Sequence, residues 1–129
     1  MSRTVRGIVY GAAAVLALDT AGSVAAQAAG FDYAMLTPLS IVLYAAIGAY
    51  VGMTELVSRA AIAGAVVGVI DATLGWAISW AIGPGRPQGD ERITALGLFN
   101  TVIFVALLAA VAAAGGAWIA RWRRRKRTA

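Results

Sequence analysis

Apolar residues in this chain come in long runs, and not in the strict alternation of a half-buried strand or the one-sided spacing of a soluble helix. A helix needs about 20 such residues to cross the hydrocarbon core of a bilayer, at about 1.5 Å of rise each. Four stretches qualify: 7–27, interrupted by Asp19; 37–57, with Glu55 near its end; 60–82, interrupted by Asp71; and 93–120, which carries no charge. Thr37-Pro38 puts proline where a helix begins, 57–60 is a tight turn, and Gly83-Pro84-Gly85-Arg86-Pro87 with Gly89-Asp90 is dense in helix breakers. The pattern predicts an all-α fold: an integral membrane bundle of four transmembrane helices in up-down order. It forms a single domain over residues 1–129, with a basic tail at 121–129.

One alternative concerns the first stretch. Arg3 and Arg6, the apolar run from Gly7 to Leu18 and the Ala26-Gln27-Ala28 triplet also fit a secretory signal with a small-residue cleavage site. Against this, the run continues past Asp19 to full spanning length, whereas a signal core is about 7–15 residues.

Composition narrows the class further. Of 129 residues 60% are hydrophobic and 13% charged, with a mean hydropathy of +0.77; an ordinary soluble domain has about 25% charged residues. The chain has no Cys and no His. Disulfides, thiol redox chemistry, haem or zinc sites and Ser/His or Cys/His catalytic pairs are therefore excluded, and no cofactor or metal is expected. Paired aspartates can hydrolyse bonds inside a membrane, but the glycine-rich surroundings of such a centre are not evident, and the expectation is a protein that is not an enzyme.

Charge sets orientation. Arg3, Arg6, Arg59, Arg121, Arg123, Arg124, Arg125, Lys126 and Arg127 flank one side of the predicted spans, and only Arg86 and Arg92 the other. The positive-inside rule then places both termini in the cytoplasm of a multi-pass cell-membrane protein. Trp118 and Trp122 would lie at the inner interface, and Phe31, Tyr33 and Trp80 at the outer one. The fourth span is longer than the ~30 Å core requires, so it should tilt or emerge. In the tail, Arg121, Arg123, Arg124, Arg125, Lys126 and Arg127 suit anionic lipid headgroups, at about 1 kcal/mol each; nucleic acid is not an expected partner.

The first and third spans resemble one another. Arg6, Gly11, Asp19 and Gly22 parallel Arg59, Gly64, Asp71 and Gly75, with the acid displaced by one residue. A two-fold repeat of helical hairpins and a chance likeness between Ala/Gly-rich helices both account for this. Helical spacing also aligns Asp19, Ser23 and Gln27 on one face, Ser40, Tyr44, Gly48 and Gly52 on another, and sets Gly97 and Thr101 beside Asn100. The GxxxG pairs Gly7/Gly11, Gly48/Gly52 and Gly64/Gly68 say close helix packing rather than chemistry.

Asp19 and Asp71 call for more. Two aspartates at membrane depth cost about 5–7 kcal/mol on insertion scales, and no Lys or Arg lies at their level to compensate. A proton, hydrogen bonds or a bound cation must do so. They are the expected proton- or cation-binding residues, with Ser23, Tyr44, Asn100 and Thr101 as supporting polar groups in the outer half of the bundle. Glu55 and Arg59, at i and i+4, suit an interfacial ion pair. Two functions remain: a proton- or cation-handling transporter or channel subunit, or a non-transporting assembly or scaffold protein whose aspartates are interhelical hydrogen-bond donors. Four short helices enclose little volume, so the former is expected to work as a homo-oligomer or with a membrane-protein partner.

Overall fold

A computed structural model describes residues 1–87, 89 and 92–128. Asp90 of the predicted breaker-rich connection and Ala129 at the tail's end lie outside the described residues. The helices are α1 (Arg3–Ala29), α2 (Thr37–Gly52), α3 (Val57–Ile70), α4 (Trp76–Ile82) and α5 (Ala95–Thr128). A 3₁₀ turn, Tyr33–Leu36, leads into α2, and a π-helical turn, Asp71–Gly75, joins α3 to α4 without a break in the rod. No strand occurs among the described residues. Four segments are long and apolar enough to cross a membrane: Arg3–Ala29, Tyr33–Gly52, Val57–Ile82 and Ala95–Arg127.

Local chemistry explains the helix ends. Ser2 caps α1 by accepting from Val5 N, and Gly30 ends it in the left-handed conformation (φ 72°), donating to Ala26 O. The helix runs unbroken through Ala26-Gln27-Ala28. Asp32 starts the 3₁₀ turn by accepting from Ala34 N at 2.9 Å, and Pro38 follows where no backbone donor is needed.

Several boundaries differ from the sequence-based expectation. The second span stops at Gly52 and not at Val57, and residues 57–60, expected as a tight turn, are the first turn of α3, so Glu55 sits in the turn before it. It still pairs with Arg59, whose Nη1 donates to Glu55 Oε2 at 2.8 Å. The basic tail is no separate segment either, because α5 carries it to Thr128 as helix. Arg124 Nη1 donates to Met53 O at 2.9 Å, satisfying a carbonyl at the end of α2, and Lys126 Nζ lies 3.9 Å over the Trp122 ring. Arg3 lies over the Tyr50 ring and reaches Met53 Sδ. Both chain ends therefore occupy one end of the bundle, called the basal end below, beside the α2–α3 turn.

The core is built from the smallest side chains. The most extensive contacts are those of α5 with α2 and with α3. Ala109, Ala113 and Ala117 recur every four residues on α5 and are wholly buried. A Cβ at Gly48 would overlap the Ala113 backbone, and one at Gly64 would come 2.5 Å from Ala109 O, so the helices touch backbone to backbone. On the fourth helix Ala109, Ala113 and Ala117 carry the contact, while Gly97 and Asn100, nearer its start, are exposed. Val51, Ala60, Ala63 and Ala117 form the basal apolar cluster, with Val15, Tyr44, Ile47, Val67 and Ala109 a second cluster.

Candidate functional site

α1 presents Gly7, Gly11, Val15, Asp19, Gly22, Ser23 and Ala26 as one buried stripe. Asp19 is thus carried into the interior by the same periodicity that buries its small neighbours, and is 4% exposed. Asp71 is the first residue of the π turn, where Trp76 N donates to Asp71 O, five residues back. The wider turn brings Asp71 and Trp76 onto a common wall, as π turns inside α-helices often do at functional sites.

Two tyrosines serve the two acids. Tyr33 OH donates to Asp19 Oδ1 at 2.5 Å, and Tyr44 OH donates to Asp71 Oδ2. The remaining oxygens converge beside Gly75: a Cβ there would overlap Asp19 Oδ2 and lie 2.9 Å from Asp71 Oδ1. Glycine is required because any side chain would displace the carboxylate. The two carboxyl groups thus face each other across Gly75, yet Asp19 Oδ2 is buried and receives no donor. Two acceptor oxygens facing one another are stable only with a proton or a cation between them.

A cavity of about 870 Å³ opens in front of the pair. Its deep end is Asp19, Asp71, Tyr33 and Tyr44, and its walls include Trp76, Trp80 and Phe104. At its mouth are the exposed Asp32, Arg86 and Arg92. Arg86 Nε donates to Trp80 O at 2.7 Å, fastening the loop after α4 to that helix's last turn. Below Tyr44 the interior is apolar: Ile47, Val67 and Ala109, then Val51, Ala60, Ala63 and Ala117. One chain therefore forms a half-open cavity of drug-like size, contrary to the expectation that four short helices leave little volume.

No family model, curated protein or solved structure matches the chain.

The structure treats the expected site residues unequally. Asp19, Asp71 and Tyr44 come together. Thr101 lines the cavity, but its hydroxyl donates to Gly97 O at 2.9 Å within its own helix. Ser23 is fully buried with an unpartnered Oγ and does not line the cavity. Asn100 is exposed on another face of α5 and takes no part, because depth along a helix says nothing about the direction a side chain faces. Tyr33 and Trp80, expected in an outer aromatic belt, are half-buried and line the cavity instead. Ser79, buried with no partner for its Oγ, lines it as well. Its spacing of eight from Asp71 was the available signal for Ser79; for Tyr33 there was none, since it precedes its helix. In the tail, Arg121 is half-buried against Met53, Glu55 and Arg59 around a smaller cavity of about 250 Å³, whereas Arg123, Arg125, Lys126 and Arg127 are exposed.

Proposed function

We propose that this chain is a multi-pass membrane protein, not an enzyme, that binds and carries a proton or cation through the Asp19–Asp71 pair. The observation that carries the reading is the donor-less Asp19 Oδ2 facing a second carboxyl group at the foot of a cavity. The chain of hydroxyls and carboxyls from Tyr33 through Asp19 and Asp71 to Tyr44 offers a route for proton exchange within the site. An apolar plug closes the basal side of the cavity, which favours a carrier over an open channel. Arg3, Arg6, Arg59 and the α5 arginines support a cytoplasmic basal end, both termini included, with the exposed arginines against anionic lipid headgroups. Each chain carries a complete cavity, so a homo-oligomer would add the stability or the movement that passage to the basal side needs.

The test is flux in proteoliposomes across a pH gradient, comparing wild type with Asp19→Asn/Asp71→Asn. Flux that vanishes in a folded double variant supports carriage. A second reading is favoured by the same tyrosine bonds, which tie α2 to α1 and to the π turn as interhelical glue. It makes the chain an assembly or scaffold protein, and predicts no flux in either protein.

A further inference from the structure

We propose that the cavity binds a monovalent organic cation, an ammonium bearing an apolar or aromatic group. The inference rests on the reading of Asp19 and Asp71 as a proton- or cation-binding pair and names the ligand class. Size is the first argument. A volume of about 870 Å³ lies within the range of pockets that enclose drug-sized molecules, far beyond the needs of a proton or a bare ion. A hard metal ion needs some six oxygens closing around it. Here each carboxylate has one oxygen engaged by a tyrosine, leaving Asp19 Oδ2 and Asp71 Oδ1 converging beside Gly75.

The walls supply the second argument. Trp76 and Trp80 sit at i and i+4 with ring centroids 6.1 Å apart and planes tilted by 33°, a paired indole surface on α4. Phe104 enters from α5, itself 65% exposed. Aromatic faces attract cations, most strongly when water is excluded, and the attraction suits a weakly hydrated ammonium better than a hydrated alkali ion. The cavity thus pairs negative charge at its foot with aromatic and aliphatic walls, the features that select an amphipathic cation over either an anion or a neutral apolar molecule. At the mouth the Arg86 guanidinium is held by the Trp80 and Ala81 carbonyls, and Asp32 and Arg92 are both exposed.

Binding should compete with protons. The titratable and charged groups around the pair are Tyr33 and Tyr44 from the α2 side, with Asp32, Arg86 and Arg92 at the mouth. Only Asp19 and Asp71 exchange a proton for the ligand, so acid should weaken binding and ligand uptake should release a proton.

The experiment is calorimetric titration of the full-length protein in detergent with benzyltrimethylammonium chloride, at two pH values and in two buffers that report released protons. The expected result is saturable binding that weakens as pH falls. Asp19→Asn/Asp71→Asn should abolish it, and Phe104→Leu should weaken it about threefold, as the loss of one exposed aromatic contact. Because Phe104 is exposed, that variant keeps its fold. Equal affinity in the Asn or the Leu variant would overturn the proposal. So would absence of saturable binding by a protein whose pH-driven flux still depends on the aspartates, an outcome that leaves the proton reading standing. Absence of both binding and flux removes both.

Discussion

The two ends of this bundle apply the same helices to opposite purposes. At the basal end Gly48, Gly52, Gly64 and Gly68 meet Ala109, Ala113 and Ala117, and the backbones touch. At the far end Tyr44, Trp76, Trp80 and Phe104 stand where the small residues stood, and residues 92–100 of the approach to α5 and its first turns are all exposed. Rings hold helices apart, and the separation is the cavity. In lipid, where apolar surface alone gives helices little reason to associate, the size of the facing side chains decides whether a bundle closes or stays open.

The comparison can be broken first at its tightest point. Gly48→Leu would drive a side chain into the Ala113 backbone, and should cost about 3 kcal/mol or more in reversible unfolding from mixed micelles. A loss under about 1 kcal/mol would mean that the basal contact is looser than described. Next is Gly75→Ala, which meets the Asp19 carboxylate rather than backbone; a side chain can move, so about 1–3 kcal/mol is expected. That variant should also lose benzyltrimethylammonium binding in the calorimeter, whereas basal substitutions that fold should keep it.

Tyr44→Phe tests the polar end alone. It leaves the Asp71 carboxyl without its tyrosine donor and should destabilise by about 1–2 kcal/mol, while Tyr33→Phe, at a less buried position, should cost less in the same assay. The smallest effect belongs to Arg59→Ala. Its ion pair with Glu55 is exposed on the arginine side, so thermal unfolding should change by no more than about 0.5 kcal/mol, and less still at high salt. A large effect there would show that the basal turn holds the bundle together more than its small-residue contacts do.

The site was legible in part. Asp19 and Asp71 stood out because a charge inside an apolar run has no cheap place to go. Tyr44 could be found by its depth. Asn100, at similar depth, was misleading, because its face of α5 turns away from the cavity. Tyr33 looked like an interfacial aromatic, and its role depends on a 3₁₀ turn that folds the chain back over the end of α1. The one-residue offset between the acids of the first and third spans coincides with the π turn at Asp71, a local widening that no hydrophobic pattern signals.

From the sequence alone it follows that four stretches are long and apolar enough to span a membrane, and that two acids lie within them. Those properties depend on run length and local capping, which neighbouring residues alone decide. Packing in three dimensions is what sets the α5 alanines between α2 and α3, brings two tyrosines to the two acids and opens a cavity beside them. These depend on how helices rotate about their axes, and a bundle of uniformly apolar helices carries little periodic contrast to set that rotation until small faces and polar groups find one another in space.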